Sequence, residues 1–264
     1  MTCQAIPGRD YRSDLRFSVI AAAFWRRVHP DSQVCLATNH DAVLPMGYND
    51  DIDILRFEFG KFPPAFGRML FMASYARLDL FNVDTVFTGH DVVFTQPLPK
   101  FNAAAITNYR YHPSQPYCSD LMIFKVKHKG YCDDLMTEMV NAHQWMPKQI
   151  IDGPGDQLSW ALTLGMPERE AFNNNPFKAP RRPKVLALPA ETYLFTPNDY
   201  FPSDERNFGV FDARPFDYEA AMRTKVALHF KGKRKAEMFK FAKWAHDQGL
   251  IDVGNYMPLE ELFA

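Results

Sequence analysis

The stretch Arg77–Leu98, RLDLFNVDTVFTGHDVVFTQPL, limits what this chain can fold into more than any other. Two short runs, Asp84-Thr85-Val86-Phe87-Thr88 and Val92-Val93-Phe94-Thr95, flank Gly89-His90-Asp91. Runs of this length, rich in β-branched and aromatic residues, read as strands. A carboxylate at their junction is not buried without a partner, because desolvating a charge costs several kcal/mol. At the end of a central strand in an open α/β sheet, such a group faces a ligand crevice. Asp91 is therefore the first candidate site residue.

Composition narrows the setting. At 264 residues the chain is one large α/β domain or two small ones. Its net charge of −1 argues against a general attraction to nucleic acid or anionic membrane. No run approaches the roughly 18 apolar residues of a membrane span, and MTCQAIPGRD lacks the apolar core of an export signal. The four cysteines, Cys3, Cys35, Cys118 and Cys132, form no CxxC pair and read as reduced thiols. The expectation is a cytoplasmic protein with no membrane span.

Helical and strand periods alternate along the chain. Thr2–Ile6 reads as a short strand, followed by Pro7-Gly8-Arg9-Asp10-Tyr11. Ser13 or Asp14 can cap a helix with Phe17, Ile20, Ala21, Phe24 and Trp25 inward. Val34–Ala37 and Ile54–Phe57 read as strands, and Ala65–Leu80 as a helix. Arg68 and Arg77 are nine residues apart, about 180° around that helix, so only one can face a crevice. Strands follow at Ala103–Asn108 and Leu121–Val126, then a helix over 131–146. Gly155-Asp156-Gln157 opens an apolar helix, where Asp156 suits an N-cap as well as a site. Val185–Leu188 is a further strand, and 196–221, with Pro197, Pro202 and Pro215, reads as irregular. An apolar strand at Val226–Leu228 runs into His229-Phe230-Lys231-Gly232-Lys233-Arg234-Lys235, and an amphipathic helix closes the chain.

Three of these segments resemble glycosyltransferase family 8, the nucleotide-sugar enzymes of the GT-A fold. Arg77-Leu78, a strand, Asp91 and a second strand follow that family's Arg-Leu and Asp-X-Asp pattern, with Gly89 in place of the first Asp. Asp156-Gln157 matches its Asp-Gln site. His229, Phe230, Gly232 and Lys235 match its His-Phe-X-Gly-X-X-Lys spacing. Its Phe-Asn-Ser-Gly sugar segment is matched here only by Ser119 and an aromatic, with Cys118 and Asp120 departing. The resemblance implies a Rossmann-like mixed α/β sheet flanked by helices over 1–235, with 236–264 a helical extension packed on it. It implies transfer of a sugar from a UDP-sugar, with retention of configuration.

The resemblance assigns roles as well. Asp91 and His229 would hold a divalent metal; apart from the resemblance, His90 could supply a borderline ligand in place of the missing carboxylate, which suits Mn²⁺ or Zn²⁺ better than Mg²⁺. Ile6, Gly8, Arg9 and Tyr11 would meet the nucleotide; Arg77, Gly232 and Lys235 would meet its phosphates. Asp156 and Gln157 would stand near the reacting carbon. The acceptor is left open between a glycan, a small molecule, a protein and a modified DNA base. Two other readings remain: a weakly catalytic nucleotide-sugar binder, favoured by Gly89, and a transferase whose KGKRK segment and Arg181-Arg182 contact nucleic-acid phosphates.

Overall fold

The computed structural model describes residues 1, 11–42, 44, 52–59, 64–78, 81–109, 117–146, 155–166, 180–196, 216–230, 235–254 and 256–263. Among the described residues there are eight helices and eight strands. In chain order they begin α1 Tyr11–Val28, β1 Cys35–Thr38, β2 Asp53–Arg56, α2 Pro64–Arg77, β3 Thr85–Thr88, β4 Val92–Phe94, β5 Ala105–Tyr109 and β6 Tyr117–Phe124. A short 3₁₀ turn then leads into α3 Lys129–Gln144, α4 Gly155–Thr163, β7 Val185–Pro189, α5 Ala190–Tyr193, α6 Tyr218–Thr224, β8 Ala227–His229, α7 Lys235–Asp247 and α8 Leu259–Leu262. This is a mixed α/β fold. No helix is long and apolar enough to cross a membrane among the described residues.

The chain divides into two compact units: residues 1–58, 89–99 and 191–264, and residues 59–88 and 100–190. In the first, β1 and β2 pair in parallel, and β4 pairs antiparallel with β8, Val92 opposite His229. Met1 lies beside β1: its amine donates to Cys35 O at 2.7 Å, and Ala37 N donates to Met1 O at 2.9 Å. The proposed strand Thr2–Ile6 lies outside the described residues. One core unites α1, β4, β8 and α7 through Leu15, Ile20, Phe24, Val93, Leu228 and Phe241, all fully buried. Phe24 and Phe241 stack with centroids 5.1 Å apart. Burial of each such side chain contributes about 1.5–3 kcal/mol, and stacking adds roughly 0.5–1.5 kcal/mol. The tail helix α7 thus belongs to this core, through Met238, Phe241, Ala242 and Ala245.

In the second unit four strands run in the order β3-β6-β5-β7. The β3–β6 and β5–β6 pairs are antiparallel, and β5–β7 is parallel. Helices α2, α3 and α4 pack on one another, and α4 lies against β6. The apolar period suggested a longer second helix, but α2 stops at Arg77 and Leu78 is half exposed. Asp84, read as the start of a strand, instead accepts from Lys125 Nζ at 2.7 Å and Val126 N at 3.0 Å. Strand β6 begins at Tyr117, four residues before the apolar run, so Cys118, Ser119 and Asp120 lie within the sheet. Helix α6 begins inside the stretch read as irregular and runs past its end. Asp217 caps it, accepting from Ala220 N at 2.8 Å.

Candidate active site

In the first unit, the strand pair β4–β8 brings two candidate residues together. Asp91 immediately precedes β4 and His229 ends β8, where Phe230 N donates to Asp91 O at 2.9 Å. Antiparallel pairing therefore fixes both side chains at one end of the pair. His229 Nε2 lies 3.6 Å from Asp91 Oδ1. On the other carboxylate oxygen, Lys235 Nζ lies 3.9 Å from Oδ2. Lys235 is the first residue of α7 and reaches back to His90 Nε2 at 3.0 Å. Its ammonium also sits 5.1 Å from the centroid of the Phe17 ring on α1, a cation–π distance. Three segments distant in sequence, carrying Phe17, His90-Asp91 and His229 with Lys235, thus meet at one end of the strand pair.

The pair suits a divalent ion. A carboxylate and an imidazole together favour Mn²⁺ or Zn²⁺ over Mg²⁺. Their 3.6 Å separation lets both reach one cation with bonds of about 2.0–2.6 Å. Within this unit, no third His, Cys, Asp or Glu ligand atom joins them among the described residues, and Gly89 stands where another carboxylate would help. An ion held by this pair would need further oxygen ligands, such as those of a substrate diphosphate.

The second unit holds a separate buried polar cluster. Arg68, on α2, donates to Asp120 and to the Ser119 carbonyl. Ser119 Oγ in turn donates to Asp156, on α4. Asp156 is 8% exposed. Burial and then the Asp120 charge push its carboxyl above the usual range, against the opposing pull of Arg68, Ser119 and the Gln157 amide. Cys118 Sγ donates to Asp120 Oδ2 at 3.4 Å. His143, on α3, lies with Nδ1 3.1 Å from Ser159 Oγ and its ring stacked on Phe66; burial lowers its pKa. Asp156 occupies the second position of α4 rather than a cap, and Gln157 beside it is half-buried.

The other sequence candidates are distributed as follows. Arg77 is 57% exposed at its side chain and bound to α3, with Nε 3.0 Å from Asp133 Oδ1 and a guanidinium N 2.7 Å from Thr137 Oγ1. Of the two arginines on α2, the structure therefore buries Arg68 beside polar partners and gives Arg77 to a surface pair. The reason is position: the face carrying Arg68 packs toward β6 and α4, whereas Arg77 sits in the final turn. Tyr11 opens α1. Ile6, Gly8, Arg9 and Gly232 lie outside the described residues. Arg182 is engaged by Glu138 and donates to Thr163 O at 2.7 Å. Sequence reasoning did not select Arg68, Asp120 or His143. The signal available was the two-sided arginine spacing on α2, which flags a choice without making it.

The fold is also found among solved structures. The glycosyltransferase GlyE of Streptococcus pneumoniae TIGR4 is 9% identical, with 95% of this chain and 63% of that chain covered, at a TM-score of 0.54. The WbbM bifunctional glycosyltransferase, solved without ligand, is 10% identical, with 97% of this chain and 50% of that one covered, at a TM-score of 0.50. This chain spans less than two thirds of the length of either. The sequence matches no protein-family model and no curated protein. The mixed α/β fold of this chain is the one seen in glycosyltransferases.

Proposed function

We propose that this chain is a glycosyltransferase that takes a sugar from a nucleoside-diphosphate sugar, a UDP-sugar in first place, with retention of configuration. The observation that carries the reading is the meeting of Asp91, His229 and Lys235 at one end of the β4–β8 pair. A carboxylate and an imidazole suit a divalent metal, and an ammonium beside them suits a phosphate. The glycosyltransferase fold supplies the setting.

In this mechanism Asp91 and His229 are the residues that would hold a divalent ion. A bound dication would supply Lewis-acid withdrawal of charge from the leaving diphosphate. Lys235 pairs with the phosphate oxygens, and its charge counts most as negative charge accumulates there during bond breaking. For the second unit, the family resemblance assigns Asp156 and Gln157 to the reacting sugar. Their buried hydrogen-bonded setting gives Asp156 one defined orientation.

A screen of donor hydrolysis across nucleotide sugars, with and without Mn²⁺, tests the activity. Asp91→Ala is expected to remove metal-dependent turnover, with the melting temperature read alongside to show that the variant is still folded, since the carboxylate is buried beside His229 and Lys235. Full activity of that variant in the presence of a chelator would remove Asp91 from a metal role. The second reading, a weakly catalytic nucleotide-sugar binder, rests on Gly89 in place of a carboxylate. Tight UDP-sugar binding without turnover for any acceptor class in the screen would favour it.

A further inference from the structure

Resting on the function proposed above, we infer that Lys235 is a placeholder for the dication: it keeps free metal out until a nucleoside diphosphate arrives. The single negative charge of Asp91 is already answered. Lys235 Nζ lies 3.9 Å from its Oδ2 and 3.0 Å from His90 Nε2, and the Phe17 ring 5.1 Å away gives the ammonium a resting face. The formal charges of Asp91 and Lys235 cancel. Gly89 adds nothing where a second carboxylate would have offset a dication.

A free dication entering this set would therefore create a net double positive charge. The Asp91 side chain is only 13% exposed there, so solvent screens that repulsion incompletely. A nucleoside diphosphate brings two or more negative charges. Lys235 can then leave Oδ2 for a phosphate oxygen, and the carboxylate becomes available to the ion. The position of Lys235 at the start of α7 assists, because a helix N-terminus favours the same anion. Metal and nucleotide thus bind as a pair, and each alone binds poorly.

The test measures Mn²⁺ bound to the full chain, from the loss of its free paramagnetic-resonance signal, with and without UDP. Wild type, Lys235→Met, Lys235→Gln and Lys235→Arg are compared, each checked for folding by its melting temperature. Wild type is expected to bind Mn²⁺ weakly alone and roughly a hundredfold more tightly with UDP, the upper range of site coupling. Both neutral variants should bind Mn²⁺ alone about tenfold or more tightly than wild type and gain less from UDP, while Lys235→Arg should behave as wild type. Equal Mn²⁺ affinity without UDP in wild type and a folded neutral variant would overturn the placeholder role and leave the metal site standing. No Mn²⁺ binding in any protein, with UDP present, would overturn the metal reading of Asp91 and His229 itself.

Discussion

The two polar clusters of this molecule are built on opposite principles. In the first unit, Asp91 stands 3.6 Å from His229 and 3.9 Å from Lys235, within Coulombic reach but beyond a good hydrogen bond. In the second, Arg68, Asp120, Ser119 and Asp156 are tied by direct hydrogen bonds. The contacts to the Asp91 carboxylate are long enough to exchange partners; the second cluster is closed and fixes geometry. A chain that must admit and release an anion needs the former. A chain that must present a carboxyl in one orientation needs the latter.

The largest expected effect is on the closed cluster. Arg68→Ala strands Asp120 and weakens the hold on Asp156, and breaking a buried pair in this way costs about 3–5 kcal/mol. Chemical denaturation should register that loss, and a change below about 1 kcal/mol would show the cluster to be wetter and looser than its burial indicates. On the open cluster, Lys235→Ala should leave the fold in place and lower kcat by roughly 10²–10³, as for loss of one donor to a developing anion. Lys233→Ala and Arg234→Ala are the controls. Equal small losses at all three positions, with the best donor, would make the segment a solvated basic patch.

A pH profile sharpens the contrast further. The Asp156 carboxyl titrates above its unfolded value, so the folded state holds its proton more tightly. Its contribution to stability is therefore greatest at acid pH and is lost as pH rises from about 4 through the raised value. Asp156→Asn should flatten the melting temperature over that window and should not be less stable than wild type at its upper end. An unchanged slope would show that Asp156 is ionised and paired throughout. The smallest effect belongs to Arg77→Ala: its pair with Asp133 is solvent-exposed, and such pairs contribute about 0–1 kcal/mol. A loss of turnover comparable to that of Lys235→Ala would return Arg77 to the donor site.

What the sequence made readable follows from local periods and end signals. Strands β3, β4 and β8 and helices α1 and α7 were visible because apolar spacing repeats within them. The nearness of Asp91 and His229 was suggested by two strand ends of similar pattern and by the family resemblance, which gives both to one metal site. The choice between Arg68 and Arg77 was not readable, because a helix period gives a face but not its partner. Strand β6 begins early for a similar reason: Cys118, Ser119 and Asp120 look like a turn until Arg68 and Asp156 satisfy them. Helix α6 was hidden by the prolines upstream of it, although Asp217 is a serviceable cap signal.

The tail helix α7 carries a consequence for how the molecule is made. The first unit gathers its core from residues near both ends of the sequence, with Phe24 on α1 stacked against Phe241 on α7. A ribosome releases those two rings at widely separated times. The second unit, confined to residues 59–88 and 100–190, has all its strands out of the exit tunnel while α7 is still unwritten. The unit that begins first therefore closes last, and until α7 emerges the part of α1 that meets it, with Phe24, stays uncovered, the kind of surface on which chaperones act.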